Sequence, residues 1–101
     1  METWGPIQYR DFYDVPRIFI VKYENSTLLF DSPFDDITDE YTQEYSVYLI
    51  HNPSKDDLQG DWKVLVSKAE RLLGRVPVSK VQFDLTKRKE INLEIFADFD
   101  I

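Results

Sequence analysis

Two β-forming stretches that lie close together decide the fold, RIFIVKY at residues 17–23 and TLLF at residues 27–30. Both are rich in β-branched and aromatic side chains, which favour strands, and a short run of turn formers at residues 24–26 separates them. Pro16 suits the start of the first strand, because its missing N–H is not needed there. The pattern therefore predicts a β-hairpin.

A third β-forming stretch, EYSVYLI, follows at residues 44–50. Tyr41, Tyr45 and Tyr48 also have helical spacing, which leaves the period of this segment ambiguous. We favour a strand, which extends the hairpin to a three-stranded meander. An acidic loop from Pro33 to about Thr42 connects it to the second strand.

A helical pattern comes next. Its apolar residues recur three or four positions apart and are Leu58, Trp62, Leu65, Val66, Ala69, Leu72 and Leu73. Gly74 and Pro77 predict the end of one long helix, because glycine favours the left-handed cap and proline cannot continue the ladder. Ser54 with Asp57 resembles a capping box at its start, and Asp61 offers a later start after the unfavourable Gly60.

The remaining segments complete the prediction. VSKVQFD at residues 78–84 and EINLEIF at residues 90–96 read as a second hairpin, with the basic run Lys87-Arg88-Lys89 at its tip. Residues 1–15 read as an irregular aromatic arm that packs back onto the body. We predict a single α+β domain over residues 1–101, an antiparallel sheet in the order β-β-β-α-β-β with one helix packed on one face.

Composition narrows the classes of function. The chain has no cysteine and a formal net charge of −7, all of it in the first 53 residues, so thiolate chemistry is excluded and phosphate backbones are repelled. Three glycines are too few for a phosphate-binding loop, and no apolar run is long enough for a membrane span. We expect a cytoplasmic protein that binds no cofactor, no nucleic acid and no membrane.

Two constellations carry weak signals for chemistry. The acids Asp31, Asp35, Asp36, Asp39 and Glu40 supply the oxygen ligands that calcium prefers, but the loop lacks the glycine and terminal glutamate of the usual calcium-binding pattern. His51, the only histidine, is of the residue type used most often for acid–base catalysis, yet no nucleophile stands near it at a spacing typical of catalytic families. A solvated acidic loop and a strand-end histidine are the plainer interpretations.

Tyrosines and carboxylates are mixed between residues 31 and 48, a pattern that favours protein binding, because tyrosine is enriched in binding hot spots and carboxylates steer basic partners. The predicted partner-binding residues are Asp35, Asp36, Asp39, Glu40, Tyr41, Tyr45 and Tyr48. Our leading hypothesis is a non-enzymatic, inhibitor-like or immunity-like protein that recognises a basic protein surface. A structural or homo-oligomeric module, such as a homodimer, and a small enzyme that uses His51 with carboxylates are the alternatives. The competing interpretation is that the tyrosines pack in the sheet and the acids only confer solubility.

Overall fold

The computed structural model describes residues 4–98, which form an antiparallel sheet with short helices and confirm the α+β class. Its strands are β1 (Trp4–Tyr13), β2 (Val15–Tyr23), β3 (Ser26–Asp31), β4 (Phe34–Asp35), β5 (Glu40–Tyr41), β6 (Glu44–Ile50), β7 (Arg71–Pro77) and β8 (Glu90–Asn92). The helices are α1 (Lys55–Gln59) and α2 (Trp62–Ser67), with 3-10 turns at Val78–Lys80 and Leu93–Asp98. Within this part of the chain one sheet has the order β7-β6-β3-β2-β1-β8, and β4 and β5 form a separate ribbon.

The predicted meander is confirmed. Strands β2 and β3 pair from Ile18 with Asp31 to Tyr23 with Ser26, and β6 adds to the free edge of β3. The β2–β3 turn has positive φ angles of 48° at Glu24 and 67° at Asn25. Two such residues match the right-handed twist of the flanking strands, so this turn sets the register of the hairpin.

The prediction of an irregular arm is wrong for the described residues 4–15; residues 1–3 lie outside the described part of the chain. Trp4–Tyr13 forms β1, which pairs with β2 on one side and with β8 on the other. Buried Gly5 and Ile7 alternate with exposed neighbours, as in a half-buried strand. The sequence alone hardly shows this alternation. Gly5 has no apolar side chain and Pro6 interrupts the run, so Ile7 is the one aliphatic residue that marks the buried side of the strand.

The single long helix is also wrong, because two short helices replace it. The predicted capping box is confirmed at the start of α1, where Ser54 and Asp57 exchange hydrogen bonds of 3.0 Å. Gly60 ends α1 in an extended conformation, and the carboxylate of Asp61 caps α2 by accepting a 2.9 Å hydrogen bond from the Lys63 amide.

The apolar stripe continues past α2 into a strand. Leu72 and Leu73 belong to β7, which pairs with β6, and the Glu70 amide donates to the Leu49 carbonyl over 2.8 Å as this pairing begins. Gly74 is therefore no helix cap; it lies in β7 opposite Val47, where the register shifts at a bulge. The β6 edge supplies partners for backbone groups that a longer helix would have satisfied within itself.

The second predicted hairpin is present only in part. Phe83 and Ile91 form a bridge, and the Asp84 and Asn92 amides donate to the carbonyls of Glu90 and Gln82. Beyond this short pairing both arms become 3-10 turns.

Both faces of the sheet are covered. One face packs against the C-terminal segments, and together they form the larger core. Its residues are Ile7, Phe19, Val21, Leu28, Phe30, Tyr45, Val47, Val76, Val81, Ile91 and Phe96. The other face packs against the two helices and forms a smaller core with them. Its residues are Ile18, Ile20, Leu29, Ile50, Trp62 and Leu65. The strands β2, β3 and β6 supply residues to both cores, which explains their nearly continuous apolar sequences.

Candidate functional site

An open groove of about 1030 Å³ lies at the end of the sheet where β1 turns into β2. The turn between these strands forms one wall, the β4–β5 ribbon another, and the end of β7 with residues 78 and 79 closes the third side. The chain reverses between β1 and β2 at Asp14, whose φ of 65° is in the left-handed region that Asp tolerates better than most residues. Tertiary pairing therefore builds the groove from distant segments.

Three aromatic rings form a connected cluster in this groove. Tyr13 stacks on Tyr41 with ring centroids 5.6 Å apart, and Phe34 meets Tyr41 edge to face at 5.2 Å. Tyr13 is 61% exposed and Phe34 is 47% exposed, so the cluster is held in place yet remains open to solvent. Such clusters can bury large apolar area on binding at little cost in conformational entropy.

Arg17 supports the cluster from within the protein. Its guanidinium carbon lies 4.8 Å from the centroid of the Tyr41 ring, and its Nε donates to the Tyr13 carbonyl over 2.9 Å. Buried Ser32 ties the base of the ribbon, because its hydroxyl donates to the Thr42 carbonyl over 2.7 Å. These contacts fix the ribbon against the β1–β2 turn.

Carboxylates surround the rings. Asp14, Asp39, Glu40 and Glu44 line the groove, and Asp35 and Asp36 stand on the ribbon beside it. Within residues 4–98, no Lys or Arg nitrogen lies within 4.0 Å of the carboxylates of the ribbon. At the turn of the ribbon Ile37 is 95% exposed, although its amide donates to the Asp35 carboxylate over 2.9 Å. The surface thus combines uncompensated negative charge with exposed apolar groups.

The predicted partner-binding residues divide between this surface and the interior. Asp36, Asp39 and Glu40 are exposed, and Asp35 and Tyr41 are partly exposed, all on the ribbon. Tyr45 and Tyr48 lie in β6 and not on the ribbon. The ribbon part of the prediction therefore forms one contiguous element.

Tyr45 does not reach the surface. It is fully buried between Phe19 and Phe30, and its hydroxyl donates to the Pro16 carbonyl over 2.6 Å. Its burial raises the pKa of the phenol well above the ordinary value, with a smaller opposing effect from Arg17. Tyr48 is three positions further along β6 and so faces the other side, where it packs against the core beneath the helices. Tyr45 is therefore too deeply buried to contact a partner, and half-buried Tyr48 lies on the opposite face of β6.

The sequence analysis missed Tyr13, Phe34 and Arg17 as parts of the site. Tyr13 was noted only as part of the arm, and Arg17 only as the beginning of a strand. No local pattern brings them to the acidic loop; the pairing of β1 with β2 does. The one available signal was an aromatic residue followed by Asp14 directly before a predicted strand.

His51 lies elsewhere, at the end of β6, in a shallow cavity of about 460 Å³. Its side chain is 75% exposed, its Nδ1 lies 3.9 Å from the Glu70 carboxylate, and its Nε2 lies 3.3 Å from the Asn52 amide nitrogen. Nucleophilic catalysis of the Ser–His type requires a hydroxyl that is hydrogen-bonded to the imidazole. Among the described residues, no Ser or Thr hydroxyl makes that hydrogen bond.

Two absences in residues 4–98 concern ions and membranes. No group of three or more His, Asp or Glu side chains there is arranged to hold a metal ion, the acidic ribbon included. No helix in the same residues is both long and apolar enough to cross a membrane.

Comparison of the chain with protein-family models, with curated proteins and with solved structures finds no match. Function is therefore inferred from the geometry of the groove.

Proposed function

We propose that this protein is a non-enzymatic binding module that recognises a basic surface on another protein. The binding surface, here called the acidic–aromatic face, consists of Tyr13, Phe34 and Tyr41 with the ribbon acids Asp35, Asp36, Asp39 and Glu40. The observation that carries the proposal is the connected three-ring cluster, open to solvent and bordered by ribbon carboxylates that have no Lys or Arg nitrogen within 4.0 Å in residues 4–98.

The two kinds of group have different parts in binding. Carboxylates that are not neutralised attract a basic partner over a Debye length of about 8 Å at physiological salt and so raise the association rate. The rings and Ile37 then bury apolar area, which slows dissociation. Because Arg17 and Ser32 already fix the ribbon, little ordering cost remains on binding.

The class of partner follows from the charge. A small protein with a net charge of −7, concentrated around an aromatic groove, suits the phosphate-binding surface of a basic toxin or nuclease. Occupying such a surface would block the partner, as an inhibitor or an immunity-type protein does. This proposal depends on charge and size, not on a sequence motif.

The test is affinity capture from native cell extract with the purified protein as bait, at low and at high salt. We expect one basic protein to be retained at low salt and weakened at high salt. The variant Asp35→Lys, Asp36→Lys, Asp39→Lys should lose it. A control variant, Glu24→Lys, Asp56→Lys, Glu94→Lys, makes the same charge change at other exposed acids and should retain the partner.

A second variant separates the rings from the charges. Tyr13→Ala with Phe34→Ala leaves every carboxylate in place, and each truncation at a hot spot costs about 2 kcal/mol, or roughly thirtyfold in Kd. We expect faster dissociation with nearly unchanged salt dependence of association. Equal capture by the wild type and both variants would show that binding does not use the acidic–aromatic face.

A further inference from the structure

A second exposed patch, of opposite charge, lies on the loop between Asp84 and Glu90. Leu85 is fully exposed there, and Lys87, Arg88 and Lys89 follow it; residues 85–89 are called the basic loop below. The loop thus adds positive charge beside an exposed apolar side chain, in a chain whose net charge is −7.

The basic loop has a defined shape because Asp84 holds it. The Asp84 carboxylate accepts hydrogen bonds from the amides of Thr86 and Lys89, both 3.0 Å, from the Glu90 amide at 2.9 Å, and from the Thr86 hydroxyl. Lys87 completes the turn with a φ of 58°. Partial burial alone would raise the pKa of Asp84, but these hydrogen bonds together outweigh it and lower the pKa.

The basic loop and the acidic ribbon lie at the same end of the sheet. The Arg88 guanidinium carbon stands 4.8 Å from the centroid of the Phe12 ring, and the next residue, Tyr13, stacks on Tyr41 of the ribbon. Within residues 4–98, no carboxylate lies within 4.0 Å of the charged nitrogens of Lys87, Arg88 or Lys89. Each chain therefore carries a basic patch and an acidic patch that form no ion pair with each other within the described residues.

We propose that the occupant of the basic loop is a second copy of this chain, bound through its acidic ribbon. In a two-fold dimer each basic loop meets the ribbon of the other copy, so both contacts form at once and the interface closes. Leu85 and Ile37, the exposed apolar residue of each patch, then meet inside the ring of charges. The proposal does not rest on partner binding, but it has a consequence for it: the dimer covers the acidic–aromatic face, so a basic partner and a second copy compete.

Sedimentation of the purified protein over a range of concentrations at low and high salt tests this. We expect the mass to rise from 12.0 kDa toward twice that value as concentration increases at low salt, and to fall back at high salt. The loop-reversed variant, Lys87→Glu, Arg88→Glu, Lys89→Glu, and the ribbon-reversed variant, Asp35→Lys, Asp36→Lys, Asp39→Lys, should each remain monomeric.

An equal mixture of the two reversed variants tests whether the loop of one copy contacts the ribbon of the other. The acidic ribbon of one faces the basic loop of the other, and the two reversed patches also attract, so the mixture should regain the dimer. The Glu24→Lys, Asp56→Lys, Glu94→Lys control should associate like the wild type. A wild type that stays monomeric at every concentration overturns the proposal, as does a mixture that stays monomeric while the wild type dimerises.

A further variant tests the apolar contact without changing any charge. Ile37→Ser with Leu85→Ser alters only exposed side chains and keeps every charge, and it should weaken association at each salt concentration. If this variant associates as strongly as the wild type, the apolar contact is contradicted.

The loop-reversed variant separates the two proposals. It should still capture a basic partner, because it retains the whole acidic–aromatic face. Partner capture and dimerisation can therefore fail independently.

Discussion

Tyr41 and Tyr45 show how differently two tyrosines four residues apart are used. The Tyr41 ring stands on the ribbon between Tyr13 and Phe34, whereas the Tyr45 ring fills the centre of the larger core. Residue type and local charge are the same for both. What separates them is that Tyr45 lies in β6, where the pairing with β3 and β7 buries every second side chain.

The change Tyr45→Phe should therefore affect stability and not binding. It removes the buried hydrogen bond from the phenol hydroxyl to the Pro16 carbonyl, at a cost of about 0.5–1.5 kcal/mol. Urea denaturation at neutral pH measures this. The control is Tyr48→Phe on the opposite face of β6, for which we expect a smaller loss; an equal loss for both would contradict the role given to the hydrogen bond.

The same variant has a pH dependence with a defined sign. Because burial raises the pKa of Tyr45 above the value of 10.0 that it has when unfolded, the native state keeps the phenol proton at a pH where the unfolded state releases it. This contribution is complete below pH 10 and is lost as pH rises beyond it. Denaturation series at rising alkaline pH should show a steeper fall for the wild type than for Tyr45→Phe, and parallel curves would argue against it.

At the scale of elements, the segments with strong local signals were predicted and those that depend on partners were not. The β2–β3 hairpin and β6 were predicted because aromatic and β-branched residues coincide with clear turn formers. The apolar stripe from Leu58 to Leu73 was assigned a single period, yet it serves two short helices and then a strand. Spacing of three and four residues over such a length does not reveal where a sheet edge becomes available.

The change Asp61→Ala tests the division into two helices. Its carboxylate accepts the Lys63 amide hydrogen bond that caps α2, and loss of an N-cap costs about 0.5–2 kcal/mol. Because α2 supplies Trp62 and Leu65 to the smaller core, we expect a lower unfolding midpoint. Asp56→Ala in the exposed first turn of α1 is the matched control, and an equal effect of the two would remove the special role of Asp61.

At the scale of the molecule, the candidate site was predicted only where it is continuous in sequence. The ribbon acids and Tyr41 are neighbours in the chain, so their composition alone indicated a surface. Tyr13 and Arg17 join them through the β1–β2 pairing, and β1 itself was missed because its alternation depends on a glycine and on Ile7. A surface assembled by an unrecognised strand lies beyond pattern analysis of one sequence.

Removal of residues 1–13 distinguishes a strand from an arm. An irregular arm could be removed with the fold intact, but β1 lies between β2 and β8, and Ile7 contributes to the larger core. We therefore expect the shortened chain to lose cooperative thermal unfolding, followed by circular dichroism.

A pair of point variants controls for the shortened length. Ile7→Asp places an unpaired charge in the core, which costs several kcal/mol, whereas Gln8→Asp places the same side chain on the exposed side of the strand. Only the first should unfold the protein. A stable Ile7→Asp variant or a stable shortened chain would count against the place given to β1 in the sheet.

The pairing of β1 with β8 also bears on how the chain is made in the cell. Trp4 pairs with Asn92 and Pro6 with Glu90, and the segments that carry Ile91 and Phe96 cover the face on which Phe19 and Phe30 lie. During translation β1 and the meander of β2, β3 and β6 leave the ribosome before residues 90–96, so the segments that cover this aromatic face are the last of these to appear. A nascent chain with that aromatic surface uncovered is prone to aggregation until residues 90–96 become available to cover it.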